Sequence, residues 1–303
     1  MFLKKVFKAR HRVSKEIYAL KKVEYFKHEN KIPISVIREF RALSALKHKN
    51  IVQMSEVRIT CGGSFANFVL EYCEFELAKL IDRQSLRFNL AEIKAILKQL
   101  FEGLSYLHEQ NFIHRDIKPA NVLINNAGEL KIADFGLARQ FPPPAGERTI
   151  YSPRVVTLWY RAPELLLGQK DYGTSVDMWA AGCLAAEMWT KTPILQGKGG
   201  PDQLNQIINL CGSITMDTFP GVVKIALFHK LRLPKHERRL QETLRSTVTN
   251  RHGLDLIDKL LTIDTETRAD AKTALDHEFF KEEPLDCDLR KMLAHFEEQE
   301  NQE

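Results

Sequence analysis

Between His114 and Gly136 the chain concentrates side chains suited to work on phosphate. The run HRDIKPAN, His114–Asn121, holds an acid at Asp116, an ammonium at Lys118 and an amide at Asn121; a second acid, Asp134, opens the run DFG. A carboxylate can accept a hydroxyl proton, and a lysine two residues on can face an anionic phosphate. An Asn and an Asp supply the hard oxygen ligands that Mg²⁺ prefers. Taken singly, an Asp or Asn is more often a turn cap than a catalyst. Five fixed residues at the spacing of HRDIKPAN, however, arise in about one random chain of this length in ten thousand at uniform residue frequencies. APE follows at Ala162–Glu164, in an order that leaves accident negligible.

The elements that must position these residues are readable from periodicity. VFKARHR and IYALKKV read as strands separated by a polar break at Ser14-Lys15-Glu16. Pro33 opens an amphipathic helix with Val36, Ile37, Phe40, Leu43 and Leu46 on one face. IVQMSEV and NFVLEYC are two further strands, and after Cys73 the pattern turns helical, beginning with LAEIKAILKQLFEGLSYLHEQ. VLINNAGELKI is a hairpin turning at Asn126-Ala127-Gly128. A β-rich part followed by a larger helical part puts a crevice near residues 71–76.

Composition excludes several classes. The 303 residues are 44% hydrophobic and 27% charged, an ordinary soluble balance, and longer than one core usually organises. The longest apolar stretch, around Val176–Trp189, is interrupted by Asp177 and Glu187, so no membrane span is expected. Five scattered cysteines form no CxxC pair, and the net charge of +5 is too small and spread out to predict direct nucleic-acid binding.

HRDIKPAN, DFG and APE together resemble the protein-kinase superfamily, over essentially the whole chain. The resemblance implies an α+β, bilobal fold: a small β-rich lobe over 1–73 and a helical lobe over 74–303. It implies ATP and Mg²⁺, with Asp116 and Lys118 catalytic and Asn121 and Asp134 on the metal. YALKK matches the strand whose lysine, here Lys21, holds phosphates and pairs with a helix glutamate, here Glu39; strand alternation puts Lys22 on the opposite face. Val6, Ala19, Leu70, Leu123 and Ala133 would enclose adenine, and the backbone of Glu71–Cys73 would bond its edge. Asp177 would brace the catalytic loop and Arg268 would pair with Glu164.

PISVIRE, Pro33–Glu39, resembles the cyclin-binding helix of the cyclin-dependent kinase family. It shares four of seven positions with both PSTAIRE and PITALRE forms, so the helix does not choose a branch. In this family three arginines, matching Arg38, Arg115 and Arg139, gather a phosphorylated residue, here Ser152. VVTLWYR resembles the substrate loop of proline-directed kinases, with Val156 and Thr157 beside a proline that has no amide to satisfy. ELLLGQKDYG, AAEMWTKTPILQG, LCGSIT and LDLIDKLLTID most resemble the transcription-elongation branch, which implies a T-type cyclin, Ser/Thr-Pro substrates such as the RNA polymerase II tail, and a nuclear location.

One departure stands at the start. Met1–Lys4 fall where the latter half of a glycine-rich loop belongs, Lys4 replaces its last glycine, and no GxGxxG is near. The expectation is a chain lacking its first strand and that loop, with weak ATP binding as it stands. Two other readings compete: a catalytically weak kinase-fold scaffold that binds a cyclin, and an active kinase of the cell-cycle or cyclin K-type branch.

Overall fold

The computed structural model describes residues 3–24, 32–59, 65–83, 85–142 and 157–300. Strands β1 (Leu3–Arg10), β2 (Ile17–Glu24), β3 (Met54–Ile59) and β4 (Phe65–Glu71) form an antiparallel sheet in the order β1-β2-β4-β3. Its register decides which side chains share a face. Val6 lies opposite Lys21, Lys4 opposite Val23, and Ala19 opposite both Lys8 and Leu70. Facing residues in an antiparallel pair point the same way, and the side-chain period is two. Lys4, Val6, Ala19, Lys21 and Leu70 therefore share one face, whereas Lys22 turns away to pair with Glu24 at 3.0 Å.

Helix α1 (Ile34–Ala45) packs against this sheet and against the turn at Phe135–Leu137. Its buried residues are Val36, Glu39, Ala42 and Leu43, with Leu46 just beyond. This corrects the face read from apolar spacing: Glu39 is inside, Ile37 is half-buried, and Phe40 is 40% exposed. Burying a carboxylate requires a partner that outweighs its desolvation, and Lys21 is that partner.

The remainder is mainly helical. Strand β5 (Phe75–Glu76) leads into α2 (Leu77–Asp82) and α3 (Leu90–Glu109), whose start is fixed by a reciprocal capping box between Asn89 and Glu92. Strand β6 (Phe112–Ile113) pairs with β9 (Arg139–Gln140), while β7 (Val122–Ile124) and β8 (Leu130–Ile132) form the expected hairpin beside β5. Gly128 has φ +79°, and Asn125 Oδ1 accepts from Ala127 and Glu129 amides at 3.0 Å each to close the turn. Helices α4 (Pro163–Leu166), α5 (Ser175–Thr190), α6 (Gly200–Cys211), α7 (Leu240–Leu244), α8 (Arg251–Leu260), α9 (Ala271–Leu275) and α10 (Arg290–Glu300) complete the chain.

Helix α5 is the hub. It is apolar nearly all round and buried from Val176 to Met188, as a helix in the middle of a core must be. Arg268 lies over its Trp179 ring at 5.1 Å. The same guanidinium meets Glu164 bidentately at 2.7 and 3.0 Å, and its other N–H groups reach the carbonyls of Thr262, Ser175 and Ile263. All five donors are thus satisfied in a pair with no exposed side-chain surface. Removing one partner of such a pair typically costs about 3–5 kcal/mol. Among the described residues no helix is long and apolar enough to cross a membrane.

Candidate active site

The loop that carries HRDIKPAN runs from β6 to β7 and is held from beneath by a carboxylate. Asp177, fully buried in the first turn of α5, accepts from the His114 and Arg115 amides at 2.8 Å each and contacts His108 Nε2 at 3.0 Å. Burial alone would raise its pKa; His108, His114 and these hydrogen bonds hold the carboxyl below the usual range. His114 adds a second tie, reaching the Ala133 carbonyl at 2.9 Å through Nε2 and meeting the buried Phe135 ring edge-on at 4.9 Å. Arg115 adopts φ +68°, donating to the Leu137 carbonyl at 2.8 Å and the Tyr172 hydroxyl at 2.7 Å. These contacts fix the loop to the DFG turn.

Asp116 is presented at the top of this frame. Asn121 donates its amide to the Asp116 carboxylate at 2.8 Å and to its carbonyl at 2.7 Å. Lys118 Nζ lies 2.9 Å from the carboxylate and donates to Thr157 Oγ1 at 2.9 Å. Thr157 closes the ring, its N–H and hydroxyl both 3.3 Å from Asp116 Oδ1. Three of the expected residues, Lys118, Asn121 and Thr157, therefore meet the carboxylate of a fourth, Asp116. The segment after them is anchored by Tyr160, whose hydroxyl donates to Glu187 at 2.7 Å. Burial pushes the Glu187 carboxyl up to about 7, opposed by that hydrogen bond and reinforced by Asp82.

A second cluster lies where α1, β1 and β2 meet the DFG turn. Lys21 donates to Glu39 and, at 2.6 Å, to Asp134 Oδ1. Asp134 itself has φ +60°, and its carboxylate also accepts from Lys4 Nζ at 3.1 and 3.3 Å. Burial would raise the Asp134 pKa, but the Lys21 and Lys4 charges hold it far below the carboxylate range. Burial likewise works against the Lys21 ammonium, yet Glu39 and Asp134 carry its pKa upward.

Asn121 and Asp134 fit the hard-oxygen requirement of Mg²⁺. The Asn121 NH₂ is committed to Asp116, which leaves Oδ1 as the atom to offer a cation. These two residues would hold the ion, and water or phosphate oxygens would complete its coordination. Among the described residues there is no group of three or more His, Cys, Asp or Glu that could hold a metal ion.

The other expected residues fall as follows. Ala19 is half-buried and Val6 is 64% exposed on the same face of the sheet, while Leu123 and Ala133 are half-buried on and beside the lower hairpin. Glu71 and Cys73 flank the crossing from β4 to β5, and burial with the nearby Glu71 charge pushes the Cys73 thiol up to about 12. Arg38 sits on α1, Arg115 in the loop between β6 and β7, and Arg139 on β9. Ser152 and Val156 lie outside the described residues. Several residues of the site were not read from sequence, Tyr160, Tyr172, His108 and Lys4 among them. His108 shares Asp177, and no spacing signal marks it. Lys4 registered only as a poor glycine; its alternation with Val6, opposite Lys21, is the signal that could have found it.

Residues 3–280 match the protein kinase domain family. Cyclin-dependent kinase 9 of Xenopus tropicalis is 45% identical over 301 residues, covering 95% of this chain and 80% of that protein. The Homo sapiens protein of the same name is 45% identical over 298 residues, with the same coverage. The chain is a serine/threonine protein kinase of the cyclin-dependent kinase family. Its fold, a sheet-containing N-lobe and a helical C-lobe, is that of a chain in the crystal structure of the yeast RNA Pol II CTD kinase CTDK-1 complex. That chain superposes with a TM-score of 0.86 and 34% identity, each chain being covered to 95%. Use of ATP and Mg²⁺ belongs to the family as a whole.

Proposed function

We propose that this kinase transfers the terminal phosphoryl group of ATP to serine or threonine followed by proline, under the control of a T-type cyclin. Its substrates on this reading are the RNA polymerase II C-terminal tail and elongation factors, and it works in the nucleus. Direct nucleic-acid and membrane contacts have no part in it. The observation that carries the proposal is the chain from Glu39 through Lys21 to Asp134. Glu39 rides on α1, so any partner that positions α1 also positions the phosphate-binding lysine. Helix α1 offers such a partner an apolar surface, with Ile34 56% and Phe40 40% exposed.

Within this reading Asp116 accepts the substrate hydroxyl proton, oriented by Asn121 and Thr157. Lys118 places its charge beside the transferring group, and Lys21 holds the phosphates that remain. Mg²⁺, when bound by Asn121 and Asp134, neutralises charge on the phosphate oxygens. Val6, Ala19, Leu70, Leu123 and Ala133 enclose the base, and the Glu71–Cys73 backbone bonds its edge, at the boundary between lobes 1–73 and 74–303. Phosphate on Ser152 is gathered by Arg38, Arg115 and Arg139, and Val156 with Thr157 receives the substrate proline. The transcription branch is supported by the names of the relatives above.

The test is reconstitution with a T-type, a K-type and a cell-cycle cyclin at equal concentration, measuring initial rates on a heptad-repeat tail peptide. The T-type complex should be fastest. A highest rate with either other cyclin moves the kinase to that branch.

A further inference from the structure

Lys4 occupies a place that the reaction as described does not use. It sits on β1 two residues before Val6, on the face that also carries Lys21. Its Nζ contacts both oxygens of Asp134, at 3.1 and 3.3 Å. It also lies against the DFG backbone, since a Cβ built on Gly136 would come within 2.9 Å of it. The pair opens on the cleft side, the Lys4 and Asp134 side chains being 40% and 32% exposed. Lys21 is different: its side chain is 6% exposed and shared between Glu39 and Asp134.

The charge count follows from these contacts. Glu39 and Asp134 contribute two negative charges and Lys21 one positive charge, a net of minus one that draws a divalent cation. Lys4 brings the group to zero. An ammonium is a compact point charge on a flexible stem, able to swing a few ångströms without moving its strand. It can therefore hold the carboxylate or turn to a phosphate oxygen in the same space.

We propose that Lys4 is a tethered cation of the phosphate site, competing with the divalent metal for Asp134 and binding nucleotide phosphates in its own right. This rests on the reading of Asp134 as a metal-binding carboxylate. Lys4 thereby sets the metal requirement of the kinase: it weakens metal binding in the absence of nucleotide and strengthens nucleotide binding in the absence of metal.

The experiment uses the cyclin-bound full chain as wild type, Lys4→Gln and Asp134→Asn. Free Mn²⁺ is followed by electron paramagnetic resonance in a titration without nucleotide. Binding of ATP in excess EDTA is followed by calorimetry, with adenosine as the control for an intact base pocket. Lys4→Gln should bind Mn²⁺ roughly tenfold more tightly and metal-free ATP roughly tenfold more weakly, the scale of one close charge in a partly exposed site. Adenosine affinity should not change, and both shifts should shrink as salt rises. Asp134→Asn should weaken Mn²⁺ binding. Equal Mn²⁺ and ATP affinities for wild type and Lys4→Gln, with Asp134→Asn weakened, overturn the role of Lys4 alone. Unchanged Mn²⁺ binding by Asp134→Asn overturns the metal assignment and this proposal with it.

Discussion

Replacing Asp116 with Asn lowers phosphoryl transfer by about 10²–10⁴-fold, the range typical of a removed general base. The fold should persist. The substitution is nearly isosteric, and its single amide oxygen can still accept from Thr157, which contacts Oδ1 at 3.3 Å, while the Asn121 bond to Oδ2 at 2.8 Å is given up and the one to the Asp116 carbonyl at 2.7 Å is kept. The Lys118 ion pair, also on Oδ2, is lost as well; its lysine side chain is 25% exposed. Pairs open to solvent are worth about 1 kcal/mol or less. Transfer and melting temperature should be measured together on the cyclin-bound chain. Activity within a few-fold of wild type would remove Asp116 from its role; a large loss of stability would mean that the residue serves the fold instead.

The second large effect separates stability from catalysis. Lys21→Met strands Glu39, whose side chain is 3% exposed, with its charge uncompensated. The expected cost is about 3–5 kcal/mol, together with loss of activity. The double variant Lys21→Met/Glu39→Leu removes both charges and fills the space with apolar atoms, so most of the stability should return. Activity should not, because the phosphate-binding ammonium is still missing. Thermal melts and transfer assays on the two single variants and the double variant form a complete cycle. A double variant as unstable as Lys21→Met would show that the buried pair is not what Lys21 protects.

How far the sequence reaches can be judged from individual residues. Asp116, Asn121 and Asp134 were legible because three motifs in fixed order carry them, and strand alternation placed Lys21 rather than Lys22 on the cleft side. The architecture of sheet followed by helices was legible for the same reason: the change of period after Cys73 is plain. Helix α1 was read with Phe40 inside because apolar spacing assigns charges to water. That rule fails at Glu39, where a lysine from another element offsets the cost of burial. Lys4 was read as a misfit in a loop. Its meaning depends on which strand β1 pairs with and in what register, and a one-residue slip would have turned it to the other face. Asp177 was expected to brace the loop, but its three partners, His108 among them, are 62 to 69 residues away in sequence and carry no local signal.

The most direct test of a proline-directed, cyclin-controlled kinase is a comparison of two peptides that differ only after the acceptor serine. The chain bound to its cyclin is given ATP and Mg²⁺ with a Ser-Pro or a Ser-Ala peptide, and kcat/KM is measured for each, with Asp116→Asn as background. Alanine brings an N–H that proline lacks, and leaving one such donor unpaired in the complex costs about 1–3 kcal/mol. The Ser-Pro peptide should therefore be preferred by roughly 10–100-fold. Equal rates on the two peptides, or no transfer above the Asp116→Asn background with cyclin bound, would contradict the assignment.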